Sequence, residues 1–183
     1  MKVNQELLIK DIHFPLLKPL ETQRNQKFFG KIKDFLTYRR KFEFVEDWCV
    51  YSKKIRQFIF IPKTFIIDGA SVPKVLYFSY SPTGVLFYGS FPHDFGYRYE
   101  GLFLIDQYNN INFVKFDKSD LDDLFLEICS QENHMPTVSK VAKTTLSIFG
   151  FTGWWSNRKK NNNIKEDFPQ FFWTEENINL DEN

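Results

Sequence analysis

The chain has 183 residues, a length that fits one domain with extended ends, and its 22 Phe provide material for a sizeable core. Its 24 basic and 23 acidic residues leave a net charge of +1, which gives no electrostatic case for nucleic acid as a partner. Two cysteines do not make a disulfide framework, so we expect packing alone to hold the fold together. Residues 1–6 (MKVNQE) contain no apolar h-region, so no signal peptide is predicted. No stretch reaches the roughly 18 apolar residues that a transmembrane helix requires.

The first half of the chain favours extended structure. Residues 1–41 read as an N-terminal arm, in which Pro15 and Pro19 favour extended or short elements. Short alternating or apolar runs between 42 and 67 predict strands. The run Asp68–Pro73 (DGASVP) predicts a tight loop, because Gly and Pro favour turns.

The second half predicts mainly helices. Residues 85–100 form one predicted helix, and 103–116 a hairpin or irregular strand pair around two adjacent asparagines. Residues 119–131 form a second predicted helix, whose apolar side chains recur at helical spacing: Leu121, Leu124, Phe125 and Ile128. A further helix is predicted over 137–149, with a proline at its start and a glycine at its end.

The order of these elements predicts an α+β fold, with a β-rich segment first and a helical part after it. We expect a single α+β domain over residues 42–155, preceded by the arm and followed by a polar C-terminal tail, 156–183. Within the helical part, two antiparallel helices are expected to carry the polar residues described next.

The adjacent pair His93 and Asp94 is the strongest chemical signal. In a helix, Tyr97 shares one face with His93, while Asp94 points about 100° away. An imidazole and a carboxylate can then serve one site as proton acceptor and cation ligand. The alternative is structural: Asp94 pairs with Arg98 one turn on, and His93 is a hydrogen-bonded core residue.

The predicted helix over 119–131 is rich in acidic residues. Asp122 lies nearer the apolar stripe than its neighbours, so it is the carboxylate expected to turn inward. Asp120 and Asp123 are expected on the solvated surface. A metal-binding face formed by these three residues together with Glu127 is the alternative.

Three segments together resemble a domain family of unknown function that is found widely in bacteriophages and prophages. They are Phe65–Pro73 (FIIDGASVP), His93–Tyr97 (HDFGY) and Asp122–Glu127 (DDLFLE), and the resemblance covers roughly residues 48–155. It implies a phage-type protein located in a virion or in the host cytoplasm.

The same residues also resemble the active-site skeleton of bacterial phospholipases A2. That resemblance implies that His93 is a general base, that Asp122 orients it, and that Asp94 and Asp68 are ligands of Ca²⁺. The implied function is a calcium-assisted hydrolase of lipid or another envelope ester, which is borne by a virion. The alternative is a non-catalytic virion or tail-associated structural protein, with other virion proteins as partners, that keeps the motif for folding. A small effector that binds a host protein is a third interpretation.

Overall fold

The computed structural model describes residues 14–20, 41–67, 86–133, 154–155 and 162–172. Over these ranges the chain forms strands first and mainly helices after, which confirms the predicted α+β class. The strands are β1 Leu17–Pro19, β2 Phe42–Phe44, β3 Trp48–Ser52, β4 Gln57–Ile61, β5 Ile66–Ile67, β6 Gly101–Ile105 and β7 Ile111–Lys115. The helices are α1 Phe87–Tyr99, α2 Lys118–Asn133 and the short α3 Ile164–Asp167, which a 3-10 turn follows at Pro169–Phe171.

Four strands form an antiparallel sheet in the order β3-β4-β6-β7. The β6–β7 connection is the hairpin predicted around two asparagines. Asp106 stabilises it, because one carboxylate oxygen accepts the backbone N–H groups of Tyr108 and Asn110. Asn109 adopts the left-handed conformation (φ 63°) that the turn requires, and Asn tolerates this conformation better than most residues.

A smaller antiparallel sheet has the order β1-β2-β5. Its strand β1 ends at Pro19, within the predicted N-terminal arm. The ring of Phe44 from β2 lies against the rings of Trp48 and Phe91, which joins this sheet to the core of the larger one. Aromatic rings therefore supply much of the packing between the two sheets and α1.

Helices α1 and α2 pack antiparallel, and two glycines of α1 set how closely they approach. A Cβ atom on Gly89 would lie 2.5 Å from Cys129 Sγ and 2.7 Å from the carbonyl oxygen of Phe125. One on Gly96, two turns later, would collide with the side chain of Leu121. Because successive positions of α1 meet successively earlier positions of α2, the predicted antiparallel pair is confirmed.

Residues 162–172 lie beyond the predicted domain, in the stretch that the sequence analysis assigns to a polar tail, and they pack on the core. Phe168 is 3% exposed and its ring contacts the rings of Phe95, Tyr99 and Phe103. The Tyr99 hydroxyl donates to Asp167 at 2.6 Å. This segment thus completes the aromatic core between α1 and the four-stranded sheet.

Two other expectations lie outside the described residues. They are the loop Asp68–Pro73, which includes Asp68, and the helix predicted over 137–149. None of the described helices is long and apolar enough to cross a membrane.

Candidate functional site

The site is a carboxylate–imidazole pair held between α1 and α2. His93 Nε2 lies 3.1 Å from Asp122 Oδ1, although 29 positions separate the two residues in the chain. The apolar stripe of α2 faces α1, and Asp122 lies at the edge of that stripe, as its position in the sequence predicts. The expected meeting of His93 and Asp122 is therefore confirmed as geometry, and their catalytic roles remain predictions.

Two further side chains donate to the same carboxylate. The Tyr97 hydroxyl donates to Asp122 Oδ1 at 2.6 Å, and Lys118 Nζ donates to Asp122 Oδ2 at 2.6 Å. Lys118 was not among the predicted site residues. Its signal in the sequence is its position four residues before Asp122 on the same helix, a spacing at which opposite charges meet.

These contacts fix the hydrogen position on the imidazole. An ionised carboxylate only accepts hydrogen bonds, so Nε2 must carry the hydrogen that points at Asp122. When His93 is neutral, Nδ1 then keeps a lone pair and is the atom that can accept a proton. Nδ1 lies 3.9 Å from Asp94 Oδ1, which is longer than a direct hydrogen bond.

The electrostatics of the pair follow from burial and from these bonds. Burial alone lowers the pKa of His93, but hydrogen bonding to Asp122 and the two nearby carboxylates outweigh it and raise that pKa above its ordinary value. Burial raises the pKa of Asp122, whereas the hydrogen bonds from His93, Lys118 and Tyr97 outweigh it and lower that pKa. Hydrogen bonding within the pair therefore favours the ionised form of Asp122 and the protonated form of His93.

Aromatic rings enclose the imidazole. The Tyr97 ring lies 3.9 Å from the His93 ring between centroids, and the Phe125 ring lies 5.3 Å away, edge-on. Trp154 in turn lies against Tyr97 at 5.1 Å. His93 is 6% exposed, so its rotamer is fixed by packing as well as by hydrogen bonds.

Two other polar residues considered in the sequence analysis make contacts away from the His93–Asp122 pair. Arg98 donates to the carbonyl oxygen of Ile66 at 2.7 Å, and its guanidinium lies over the Phe65 ring. Asp123 forms an exposed ion pair with Lys54, as expected of a surface residue.

The acidic residue that ends the DDLFLE segment joins α2 to the four-stranded sheet. Glu127 accepts hydrogen bonds from the hydroxyl of Ser52 and from the backbone N–H groups of Lys53 and Lys54, and so holds the β3–β4 turn. Within the described ranges, no group of three or more His, Cys, Asp or Glu residues could hold a metal ion. A metal-binding face on α2 therefore receives no support from them.

Comparison with known proteins places this site in a family. Residues 42–143 match the family described as "Protein of unknown function (DUF1353)". The chain belongs to this family. The matched region contains both α1 and α2, and hence His93, Asp94 and Asp122, while the core-completing segment 162–172 lies beyond it. No curated protein and no solved structure matches the chain.

Proposed function

We propose that this protein is a hydrolase of lipid or another envelope ester, in which His93 is the general base and Asp122 orients it. The observation that carries the proposal is the hydrogen bond between His93 Nε2 and Asp122, which directs the lone pair of Nδ1 away from the supporting carboxylate. A carboxylate behind one imidazole nitrogen and a proton-accepting site at the other is the arrangement that water activation requires.

The chemistry follows from these atoms. Nδ1 removes a proton from water as the water oxygen bonds to the ester carbonyl carbon, and the imidazolium that forms is stabilised by Asp122. The same proton then passes from Nδ1 to the departing alkoxide as the ester C–O bond breaks, so the base is regenerated. Tyr97 and Lys118 are positioning residues here, since they touch Asp122 and keep its charge and orientation fixed.

Calcium assistance is the part of the proposal that extends beyond the described residues. Ca²⁺ takes six to eight oxygen ligands, and Asp94 is the one predicted ligand that these residues include. Asp68, the other predicted ligand, lies outside them. The proposed steps of hydrolysis involve no cation. Calcium binding is therefore tested separately from hydrolysis.

Phage origin, and with it a location in a virion or the host cytoplasm, rests on the resemblance of the three motif segments. A particle or host lysis would then bring the enzyme to an envelope ester. The alternative function, a virion or tail-associated structural protein, draws on the near-complete burial of His93 and on the three donors to Asp122. A satisfied, buried polar network also serves to fix how two helices meet.

The deciding experiment measures hydrolysis of phospholipid in mixed micelles and of a generic soluble ester, with and without Ca²⁺. We expect wild-type activity, and a loss of about 10²–10⁴-fold in His93→Asn under conditions where circular dichroism shows that the variant is folded. Asp94→Asn should also remove any calcium-dependent rise in melting temperature, because ligand binding to the native state stabilises it. Asp120→Asn, an exposed carboxylate of α2, is the matched control.

The two functions predict opposite results. If the protein is structural, the wild type hydrolyses neither substrate. His93→Asn should lower stability by roughly 1–3 kcal/mol under either function, because it disrupts a buried hydrogen bond, so hydrolysis is the measurement that separates them. A wild-type protein without hydrolysis and without a calcium-dependent thermal shift contradicts the hydrolase. Hydrolysis that is independent of calcium would keep the His93–Asp122 mechanism and remove calcium from it.

A further inference from the structure

The contact between Gly96 of α1 and Leu121 of α2 lies beside the carboxylate–imidazole pair. Gly96 follows His93 by three residues on α1, and Leu121 immediately precedes Asp122 on α2. A Cβ atom added to Gly96 would lie 2.9 Å from Leu121 Cδ1, 3.1 Å from Leu121 Cγ, and closer still to Leu121 Cδ2. The Leu121 side chain therefore fills the space that a side chain at position 96 would need.

The polar contacts of the site converge at the same point of the helix pair. His93 Nε2 lies 3.1 Å from Asp122 Oδ1, and the Tyr97 hydroxyl donates to that same oxygen at 2.6 Å. Positions 93, 96 and 97 share one face of α1, because residues three and four apart are neighbours on a helix surface. Asp122 thus meets its two donors from α1 on the face where Leu121 packs against Gly96.

Core packing holds Leu121 in place. Its side chain is 1% exposed and belongs to the hydrophobic core, so it cannot turn to solvent to make room for another atom. Nonbonded carbon atoms lie about 3.5–4.0 Å apart, so a methyl group at position 96 requires a displacement of about 1 Å. A displacement of that size at Asp122 would stretch its contact with His93 beyond the upper limit of about 3.2 Å for such a hydrogen bond.

We propose that Gly96 is a positioning residue for the His93–Asp122 pair. The absence of a side chain at position 96 lets Leu121 pack directly against α1, and this packing sets the distance between the next residue of α2, Asp122, and the imidazole. The hydrogen bond forms whether or not the site hydrolyses an ester, whereas an effect of Gly96 on hydrolysis rests on the proposed function.

Gly89, two turns earlier on α1, provides the matched comparison. A Cβ atom there would lie 2.7 Å from the carbonyl oxygen of Phe125 and 2.5 Å from Cys129 Sγ. Alanine at position 89 therefore also disturbs the contact between α1 and α2, but its collisions are with other residues than Leu121. Removal of the Leu121 side chain should relieve a collision at position 96 and none at position 89.

The test follows the ring N–H proton of His93 by NMR in the full chain. The chain has three histidines, and the resonance of His93 is identified by its absence from His93→Asn. We expect Gly96→Ala to lose or displace this resonance, and the double variant Gly96→Ala/Leu121→Ala to regain it. Leu121→Ala alone should keep it, because the donors to Asp122 remain in place.

Urea unfolding adds a measurement of coupling between the two positions. The unfolding midpoint of Gly96→Ala/Leu121→Ala should be no lower than that of Leu121→Ala, because the collision has been removed. Gly89→Ala and Leu121→Ala should instead lower the midpoint additively, as substitutions at separate contacts do. Alanine favours helix more than glycine does, so the loss of the resonance in Gly96→Ala cannot come from a weaker helix.

Hydrolysis is measured on the same variants. In an active protein, the rate should fall by about 10²-fold in Gly96→Ala and recover in the double variant, since a misplacement of about 1 Å has an effect of that size. A wild type without hydrolysis contradicts the proposed function and leaves the NMR test unaffected. The role of Gly96 is overturned if folded Gly96→Ala keeps the wild-type resonance, or if Gly96→Ala/Leu121→Ala does not regain it.

Discussion

Asp122 and Asp123 are adjacent carboxylates of α2 with opposite environments, and replacing each by Asn tests the described site without assuming any activity. The Asp122 side chain is 14% exposed and accepts hydrogen bonds from His93, Tyr97 and Lys118. The Asp123 side chain is 45% exposed and pairs with Lys54 on the surface. The two substitutions are chemically identical, so the difference between them reports the network around Asp122.

The magnitude follows from these contacts. Hydrogen bonds to a charged group are worth about 1.5–3 kcal/mol each, and breaking a fully buried ion pair costs about 3–5 kcal/mol. Asn keeps one accepting oxygen, and Lys118 can turn to solvent, so we expect Asp122→Asn to cost about 2–3 kcal/mol. Asp123→Asn should cost about 0–1 kcal/mol, as exposed ion pairs do.

The pH dependence adds a signature that simple loss of packing would not have. The pKa of Asp122 is lowered in the folded state, so its stabilisation is present above the ordinary carboxyl pKa and is lost as the pH falls through the folded value. The pKa of His93 is raised, so its stabilisation is present below its ordinary pKa and is lost as the pH rises through the folded value. The penalty of Asp122→Asn should therefore be largest between about pH 4 and pH 6.5.

The assay is urea unfolding, followed by circular dichroism, of the wild type and both variants from about pH 3 to about pH 9, a range that extends beyond both ends of that window. The linear extrapolation gives the free energy of unfolding at each pH. If Asp122→Asn and Asp123→Asn differ by less than about 0.5 kcal/mol at every pH, the network around Asp122 does not stabilise the fold. A penalty that is constant with pH would refute the electrostatic part of the reasoning and leave only a packing effect.

Two further predictions concern the core. Phe168→Ala should destabilise the protein by about 3–5 kcal/mol, because its ring is buried among aromatic neighbours. Phe14→Ala, at a 57% exposed position, should cost far less. Equal unfolding midpoints of the two variants would show that residues 162–172 do not complete the core. Burial raises the pKa of Cys49 and Cys129 to about 12. An aromatic disulfide reagent should therefore react with neither thiol of the native protein at neutral pH, and with both thiols in denaturant. Rapid labelling of either thiol in the native state would contradict their burial.

The sequence by itself determined the elements whose signal is local. The apolar spacing that predicts a helix over 119–131 corresponds to α2, Lys118–Asn133, because helical periodicity depends only on neighbouring residues. The same periodicity predicts that Asp122 faces inward, and the spacing of His93 and Tyr97 predicts that both lie on one face of α1. The contacts of all three residues agree with these predictions. Local geometry therefore predicted the face on which each residue lies, and the resemblance to bacterial phospholipases A2 implied that His93 and Asp122 meet.

Tertiary structure alone decided the contacts between distant segments. Ser52 and Glu127 meet across 75 positions, and Tyr99 and Asp167 across 68, and no pattern in either neighbourhood specifies the partner. The burial of Phe168 could not be predicted from the polar stretch after residue 156, because one apolar ring among charged residues forms no periodic pattern.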